Sequence, residues 1–488
     1  MNRSFRSHSA LGLGIALALL VSTALPSAAG SGFITFTLSD TPGISCPSTT
    51  NESACSNLTL EPQIRYDNAG NLYASAEHGL GGGTSAFKST DGGLHYTTLP
   101  SPNSLSSANN TGFAPAGGDT DLATAPAANT AGHYNVYVAS LNLANIVVST
   151  SVDAGNSWSV NPTSATISGD DREWIAADGA SKVCISYHDV ATFNMDVNCS
   201  YDAGATFSQL GDAFDASHLY LLENNSSGNL GIDPSSHVVY AVFSGIANAA
   251  EQACATAGTC GYHVVYVAVS TDGGKSFTDH VVYNNPDTTV SYGHQFINLS
   301  IDRGGNLYAL YNNNHNLFYS YSTNQGTSWS APSQINKGPA AATAIMPWSV
   351  AGNAGELDVV WYGTSYYDGV NPPDSYPSSA AWYVFFAQNL KALSGGNFSQ
   401  VEATPLVHYG GVCEGGISCT GNRDLYDDFG VSASPKTAGL ASIIYTDDQY
   451  VSNATNAPYG ATCSPSASNS IYCDHAAIAT QTSGKGIF

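Results

Sequence analysis

Two short charged segments of the sequence contain the residues best suited to chemistry. They are Asp170-Asp171-Arg172-Glu173-Trp174 and Asn422-Arg423-Asp424-Leu425-Tyr426-Asp427-Asp428-Phe429, and each lies where an apolar strand is about to begin. An arginine can bind a carboxylate through two parallel hydrogen bonds, and neighbouring acids can hold it in place or transfer protons. The same arginines could instead form ion pairs that tie adjacent structural units together, and the sequence leaves both roles open.

An internal repeat indicates the elements that position these segments. Five segments share the pattern Ser-x-Asp-x-Gly-x-x-aromatic, with asparagine replacing aspartate in the fifth: Ser89–Tyr96, Ser151–Trp158, Ser200–Phe207, Ser270–Phe277 and Ser322–Trp329. We call each segment a box. Its acidic or amide residue should accept hydrogen bonds from the turn backbone, its glycine should take a positive φ, and its aromatic ring should start the next strand. These acidic or amide residues are Asp91, Asp153, Asp202, Asp272 and Asn324.

A hairpin pattern precedes each box, as in Trp174–Tyr187 and Phe296–Tyr311. Counting hairpins gives seven units of about four strands, with degenerate boxes in the last two at Ser394–Phe398 and Thr480–Gly484. The units begin near Glu61, Asp119, Asp170, Gly228, His294, Ala344 and Asp424. Such units bury their faces only against one another, so the sequence predicts an all-β propeller of seven blades, with six as the alternative, forming one domain over residues 30–488. We expect the spare strand Phe33–Leu38 to complete the last blade and close the ring.

The boxes resemble the Asp boxes of the sialidase superfamily, the BNR-repeat propellers, from about residue 33 to the end of the chain. The resemblance implies that the boxes lie opposite a ligand face. It also implies hydrolysis of terminal sialic acids by an arginine triad, a tyrosine nucleophile assisted by glutamate, and an aspartate acid/base. Carried onto this chain, the catalytic candidates are Arg172, Glu173, Arg423, Asp424 and Tyr426, with Tyr426 as nucleophile and Glu173 as its helper.

The arginine triad is incomplete in this sequence. Only Arg65, Arg172, Arg303 and Arg423 follow the first thirty residues. Arg65 is expected within a strand and Arg303 in a turn at the box end of the ring, so two arginines remain for the ligand face. Further candidate substrate-binding residues occur where first strands begin or second strands end: Glu61, His78, Asp119, Asp171, His188, His294, Tyr362, Asp428 and Asp448.

These residues favour a carbohydrate-directed protein, either an exo-glycosidase-like enzyme or a glycan-binding one, whose partner is a glycan or glycoprotein. The alternative is a non-catalytic extracellular propeller that binds protein or has a structural role. A buried acid pair facing the channel would favour an enzyme, whereas an aromatic platform without such a pair would favour binding. The tyrosines of the insertion Thr364–Ala380 could stack on sugars or pack over the rim. No cofactor or metal is expected; calcium at Asp427-Asp428 and Asp447-Asp448 is the alternative.

Composition predicts a secreted, folded protein. The 488 residues include 13 Lys+Arg and 37 Asp+Glu, a net charge of −24 that makes nucleic acid a poor partner. Residues 1–29 read as a signal peptide, no later run suits a membrane span, and nine Asn-x-Ser/Thr sequons fit a glycosylated exterior. We expect a monomer. Without metal-type spacing, the ten cysteines predict disulfides Cys46–Cys55, Cys184–Cys199, Cys254–Cys260, Cys413–Cys419 and Cys463–Cys473.

Overall fold

The protein is described by a computed structural model that covers most of the chain. The described residues are 33–42, 59–79, 81–110, 116–142, 145–165, 170–189, 192, 194–214, 227–415, 419, 423, 425–448 and 474–488. The predicted signal peptide, the pairs Cys46–Cys55 and Cys463–Cys473, and Asp424 lie outside these residues.

The described chain forms seven antiparallel sheets, each a blade of a β-propeller, so the seven-bladed prediction is confirmed over the six-bladed one. The first three blades contain β2 (Leu60–Tyr66), β3 (Leu72–Glu77), β4 (Thr84–Ser89) and β5 (Thr97–Thr98); β6 (Thr120–Ala128), β7 (Tyr134–Asn142), β8 (Asn145–Ser151) and β9 (Ser159–Asn161); and β10 (Asp170–Asp178), β11 (Lys182–Asp189), β12 (Asn194–Ser200) and β13 (Gln209–Asp212). The next three contain β14 (Ser227–Ile232), β15 (Val239–Gly245), β16 (Val264–Ser270) and β17 (Thr278–Asn284); β18 (Asn298–Ile301), β19 (Leu307–Asn312), β20 (Leu317–Ser322) and β21 (Ser333–Gln334); and β22 (Thr343–Ala351), β23 (Leu357–Thr364), β24 (Ala381–Asn389) and β25 (Ser399–Glu402), with β26 (His408–Tyr409) added beside β24. The seventh contains β27 (Gly430–Ala433), β28 (Ala441–Asp447), β29 (His475–Ser483) and β1 (Thr35–Asp40).

Helices are short and lie in the loops. They are the α-helix Gln252–Thr256 and the 3₁₀ helices Ala249–Glu251, Pro339–Ala341, Pro373–Ser375 and Ala392–Ser394. None of the helices within the described ranges has the length and apolar character needed to cross a membrane.

The hydrophobic core lies between neighbouring blades. Because a blade is covered on both faces, its middle strands are buried along most of their length, and β15 and β16 are buried at every residue. Val242 and Val267 of the fourth blade, for example, pack in one cluster with Leu299 and Leu307 of the fifth. Burial on both faces explains why the hairpins read as near-continuous apolar runs.

The ring is closed by a strand from the other end of the chain, as the sequence predicts. The strand β1 pairs antiparallel with β29, with Thr37 opposite Thr480 and Leu38 opposite Ala479. Phe36 of this strand also meets Phe386 of the sixth blade, with ring centroids 5.3 Å apart. The seventh blade is therefore completed by residues from both ends of the described chain.

Each of the five boxes joins the third and fourth strands of its blade, at one end of the ring. In the first blade, Ser89 of the box pairs with Leu72, whereas Glu77 at the opposite end of the sheet pairs with Thr84. We call the opposite end, where first strands begin and second strands end, the mouth. In the fourth box, Asp272 Oδ1 accepts hydrogen bonds from the backbone N–H groups of Lys275 and Ser276, both at 3.0 Å.

Three of the predicted disulfides lie within the described residues and are formed. Cys184–Cys199 joins β11 and β12 at directly opposed positions and is fully buried. Cys254–Cys260 and Cys413–Cys419 each close a short loop. There are no free cysteines among the described residues.

Candidate functional site

The side chains at the mouth are presented by bulges in the innermost strands. The strand register shifts between Leu60 and Gln63 in the first blade and between Asp171 and Trp174 in the third. A bulge bends a strand locally and can aim one side chain differently from its neighbours.

Bulges in the innermost strands of three blades hold a non-glycine residue in the left-handed region. The φ angles are 42° at Glu61, 52° at Arg172 and 51° at Met346, which belong to the first, third and sixth blades. Such angles are uncommon for residues with a Cβ, and strained positions of this kind cluster at functional sites. We therefore take these bulges as the framework of the candidate site.

Arg172 lies at the centre of an ion-pair network that joins four blades. Its Nη2 is 2.9 Å from Asp428 Oδ1, and its Nη1 is 3.2 Å from Asp119 Oδ2 and 3.8 Å from Glu61 Oε2. These acids belong to the first blade or to the segments that enter the second and seventh. Arg172 is only 4 % exposed, and this burial supports the inter-blade role that the sequence left open.

Aromatic rings enclose the same guanidinium. Its central carbon lies 4.1 Å from the ring centroid of Phe296 and 4.5 Å from that of Trp174. Trp174 in turn packs against Trp348, with centroids 5.1 Å apart. Arginine and rings together fill the channel just below the mouth.

Arg423 is held differently and is accessible to a ligand. Its Nη2 lies 2.7 Å from Asp427 Oδ2 and 3.2 Å from Glu61 Oε1, and its side chain is 26 % exposed. The guanidinium also stacks over Tyr426, which has a left-handed φ of 56°. Of the two arginines, Arg423 is thus the one whose side chain is exposed at the mouth.

The carboxyl groups of the mouth differ sharply in proton affinity. Burial, with repulsion from Asp119, raises the pKa of Glu77 to about 8. Burial likewise raises the pKa of Glu61 well above its ordinary value, and that of Asp428 to about 6. Burial alone would raise the pKa of Asp119 too, but the charge of Arg172 and a hydrogen bond with Glu61 outweigh it and lower the pKa. One protonated and one ionised carboxyl group therefore lie near each other, which is the pattern of an acid and base pair.

Glu77 is a residue that the sequence analysis missed. The sequence pattern places His78 at the end of the second strand, but the register pairs Leu60 with Glu77, one residue earlier. Glu77 is 6 % exposed, at the mouth beside Glu61 and Asp119. The alternation of β3 was the signal that could have found it.

The causes of the pKa shifts of Tyr426 and Glu173 do not indicate the expected pairing of these two side chains. Burial raises the pKa of Tyr426, and Asp474, Glu77 and Glu61 are the carboxylates that add to this rise. Burial also raises the pKa of Glu173 well above its ordinary value, with Asp119 as the strongest neighbour. Both carboxyl oxygens of Glu173 are buried without a hydrogen-bond partner among the described residues. The pairing of Tyr426 with Glu173 stays a prediction, and the charge of Glu77 is among those that raise the pKa of Tyr426.

A small closed space lies beside these groups. It has a volume of about 10 Å³ and is lined by His294, Gln295, Phe296, Met346, Glu414 and Asp427. Burial, with Asp374 and Asp427 nearby, raises the pKa of Glu414 well above its ordinary value. The space is too small for a sugar ring.

Three predicted ligand residues lie at the mouth, and the side chains of two of them have hydrogen-bond partners within the protein. His78 Nε2 is 2.6 Å from Ser85 Oγ, and Asp171 Oδ1 accepts a hydrogen bond from the backbone N–H of Arg172 at 3.0 Å. His188 is buried directly opposite Asp171, and this burial lowers the pKa of its imidazole. Burial lowers the pKa of His294 as well.

Tyr362 and Asp448 are instead placed in the packing between blades. Tyr362 is fully buried; its hydroxyl accepts a hydrogen bond from Thr446 N at 2.8 Å, and its ring lies 4.4 Å from that of Phe429. Asp448 Oδ2 lies 2.6 Å from Nδ1 of the buried His408. Both side chains are thus engaged by the protein itself.

The other two arginines lie where the sequence suggested. Arg65 is within β2, where its Nη2 is 3.3 Å from Asp121 Oδ1. Arg303 lies in a turn at the box end and stacks over Phe488 at 3.9 Å. Within the described chain, no group of three or more His, Cys, Asp or Glu residues is arranged to hold a metal ion.

The tyrosine-rich insertion divides between packing and exposure. Tyr376 is buried, stacks on Trp382 and shares a 2.8 Å hydrogen bond with Thr343. Tyr367 is 47 % exposed and stacks on His315 with centroids 3.5 Å apart. One exposed aromatic ring therefore remains available for stacking.

Comparison with known proteins gives structural likeness only. No family model and no curated protein sequence matches the chain. An α-L-arabinanase of Penicillium chrysogenum, solved with arabinobiose, is 11 % identical with a TM-score of 0.43, covering 92 % of this chain and 98 % of its own. An α-L-arabinofuranosidase of Fusarium graminearum, solved with an iminosugar inhibitor, is also 11 % identical with a TM-score of 0.43, covering 93 % and 98 %. A Hadza microbial sialidase is 12 % identical with a TM-score of 0.37, covering 62 % and 63 %.

Proposed function

We propose that this protein is a secreted, carbohydrate-directed propeller of the sialidase type that hydrolyses glycosidic bonds of neutral glycans at its mouth. The observation that supports this most is the contrast between Glu77, whose pKa is raised to about 8, and Asp119, whose pKa is lowered. Glycoside hydrolysis uses two carboxyl groups, one protonated and one ionised.

The two groups have complementary roles in the proposed reaction. Glu77 donates its proton to the glycosidic oxygen as the bond from that oxygen to the anomeric carbon breaks. Water adds to the anomeric carbon, and the Asp119 carboxylate accepts the proton that the water releases. Proton transfer from Glu77 is possible up to about neutral pH because of its raised pKa.

Arg423 and Asp427 are assigned a positioning role. Their 2.7 Å ion pair is partly exposed, with side-chain exposures of 26 % and 15 %. A guanidinium and a carboxylate side by side can donate and accept hydrogen bonds with the hydroxyl groups of a sugar. Such contacts would hold a ring across the mouth beside Glu77 and Asp119.

The charges at the mouth favour a neutral glycan over a sialoside. Arg172 is paired with three carboxylates and Arg423 with two, so neither guanidinium is free to bind a carboxylate of the substrate. An anionic substrate would also meet an excess of acids over the two arginines. The three disulfides in the described chain fit an extracellular location.

The test is hydrolysis of aryl glycosides at pH 3, 5 and 7. The panel comprises neutral pentosides and hexosides together with one sialoside. We expect release of the aryl group from a neutral member, with a loss of 10²-fold or more in Glu77→Gln and Asp119→Asn. Asp212→Asn, which changes an exposed carboxylate on the outer strand β13, is the matched control and should retain activity. Hydrolysis of the sialoside alone would contradict the proposal.

A second candidate is a binding propeller without catalytic activity. It is favoured by the burial of Arg172 and by the small closed space at the mouth. Absence of hydrolysis across the panel, with glycan binding that Arg423→Ala abolishes, would support this candidate.

A further inference from the structure

A polar groove runs along the flank of the second and third blades, towards the box end. Its volume is about 760 Å³, within the range of small-molecule sites. The segment 104–109 forms one side, and the boxes of the two blades form the other. Because the boxes and the mouth are at opposite ends of each sheet, this groove is separate from the candidate site described above.

The hydrogen-bonding side chains of the lining are almost all uncharged. It contains the hydroxyls of Ser106, Ser107 and Ser159 and the amides of Asn109 and Asn156. These groups both donate and accept hydrogen bonds, as do the hydroxyls of a sugar.

The one acid in the lining is already engaged. Asp202 Oδ1 accepts hydrogen bonds from Ser200 Oγ at 2.7 Å and from Thr206 N at 2.9 Å. Its Oδ2 accepts a hydrogen bond from Thr206 Oγ1 at 2.7 Å. Among the described residues the groove lining contains no Lys, Arg, His or Glu, so these residues offer no charge that a ligand must neutralise.

Apolar surface lies among the polar groups. Val152 is 51 % exposed within the lining, and Leu105, between two lining serines, is 63 % exposed. Pro100 and Pro162 add flat apolar faces, and Trp158 forms part of the floor. Sugar rings present C–H faces as well as hydroxyls, and this mixture of surfaces suits both.

The groove is held in shape by bonds between its parts. Ala108 N donates to Trp158 O at 3.0 Å, and Val160 N donates to Ala108 O at 2.8 Å, which fixes the segment 104–109 beside β9. Asn161 Nδ2 donates to Ala205 O at 3.0 Å and so links the second blade to the third. A site formed before binding loses less entropy when it takes a ligand.

The second box differs from the fifth in a way that matches this arrangement. In the fifth box Trp329 Nε1 donates to Gly326 O, three residues earlier, at 2.9 Å. Trp158 holds the same place in the second box, yet its Nε1 has no partner among the described residues. The ring of Trp158 packs with Tyr73 and Leu122 and lies under the groove. The second box therefore contributes its aromatic ring, Trp158, to the groove.

We propose that this groove binds a neutral oligosaccharide segment and holds the protein on a glycan chain, independently of the mouth. The net charge of −24 disfavours anionic polymers, and the absence of lining carboxylates free to bind a cation disfavours basic ones.

The experiment is affinity electrophoresis of the full chain in native gels containing arabinan, xylan, mannan or dextran. The protein is produced without glycosylation, because Asn109 lies in a sequon at the groove. Asn156→Trp places a large side chain in the groove. Thr327→Trp makes the same change at the equivalent exposed position of the fifth box and is the matched control.

We expect at least one neutral polymer to retard the wild-type protein, and Asn156→Trp to weaken this binding at least tenfold. Thr327→Trp and the mouth variant Glu77→Gln should bind as the wild type does. Retardation by none of the polymers would overturn the proposal, as would retardation that Glu77→Gln abolishes and Asn156→Trp leaves intact. An equal melting temperature for the two tryptophan variants shows that neither result comes from unfolding.

Discussion

Glu61 and Arg172 occupy the same position in two different blades, the left-handed residue of a bulge in the innermost strand. Their carboxylate and guanidinium meet at 3.8 Å across the mouth. The same kind of bulge in two blades thus places opposite charges against each other. In the sixth blade the neutral Met346 occupies the same position. The mouth is therefore asymmetric although its blades repeat.

Arg172 should be essential for stability. Arg172→Gln leaves Asp119, Asp428 and Glu61 without their shared cation, and removing one partner of a buried ion pair typically costs about 3–5 kcal/mol. Arg423→Gln is the comparison and should lose less stability, since the Arg423 side chain is 26 % exposed whereas that of Arg172 is 5 % exposed. Urea unfolding midpoints of the two variants measure the difference. Equal losses in both would show that burial of Arg172 has no special effect.

Glu77 should make the protein less stable as the pH rises. Its folded-state pKa of about 8 exceeds the ordinary 4.5, so stability is fully present below about pH 4.5 and falls progressively towards pH 8. Glu77→Gln should flatten part of this decline, which melting temperatures between pH 4 and 8 would reveal. The charges around this group are Asp119, Asp427, Arg423 and Arg172. An unchanged slope in the variant would exclude a protonated Glu77.

Asp119 should make the protein less stable as the pH falls, which is the opposite effect to that of Glu77. Its pKa is lowered in the folded state, so its contribution is present above its ordinary value and is lost as the pH falls through the folded pKa. With Glu77, this places the stability maximum in mildly acidic solution, and we expect the fold to persist near pH 3. Circular dichroism at pH 3 tests this, and loss of the β-sheet signal there would contradict it.

The box aspartates should tolerate asparagine but not alanine. Asp272→Ala removes the acceptor of the Lys275 and Ser276 N–H groups and should cost about 1–3 kcal/mol. Asp272→Asn should change stability much less, because Asn324 already accepts a hydrogen bond from Ser328 N at 3.0 Å in the fifth box. Thermal unfolding compares the two variants. A larger loss for asparagine than for alanine would contradict this account of the turn.

The closing strand should contribute strongly to thermal stability. Deletion of residues 33–40 removes every pair between β1 and β29, from Thr35 opposite Ser483 to Asp40 opposite Ala477. We expect a sharp fall in melting temperature by calorimetry. Phe36→Ala, which loses the contact with Phe386, should show part of the effect, whereas Phe33→Ala, at a residue 93 % exposed, should show none. An unchanged melting temperature after the deletion would refute closure by this strand.

The repeat made the blades predictable, because box and hairpin spacing follow from local turn chemistry. A spare strand at the other end of the chain indicated the closing strand, and neighbouring cysteines indicated three disulfides, which join residues close in sequence. The bulges were not predictable: the left-handed residues Glu61, Arg172 and Met346 include no glycine to signal them. The ion pairs of Arg172 join acids from distant parts of the chain, and only the closed ring brings them together.

The pairing of β1 with β29 has a consequence for how the molecule is made. The hydroxyls of Thr35 and Thr482, 3.1 Å apart, are separated by 447 positions in sequence. Contacts between such distant residues form late in folding, because the entropy cost of closing a long loop comes before the contacts can stabilise the chain. During synthesis from the amino terminus, β1 emerges before all the other described strands and lacks its partner until β29 has followed. A growing chain therefore carries an unpaired strand edge, and chaperone capture or misassembly would act at that stage.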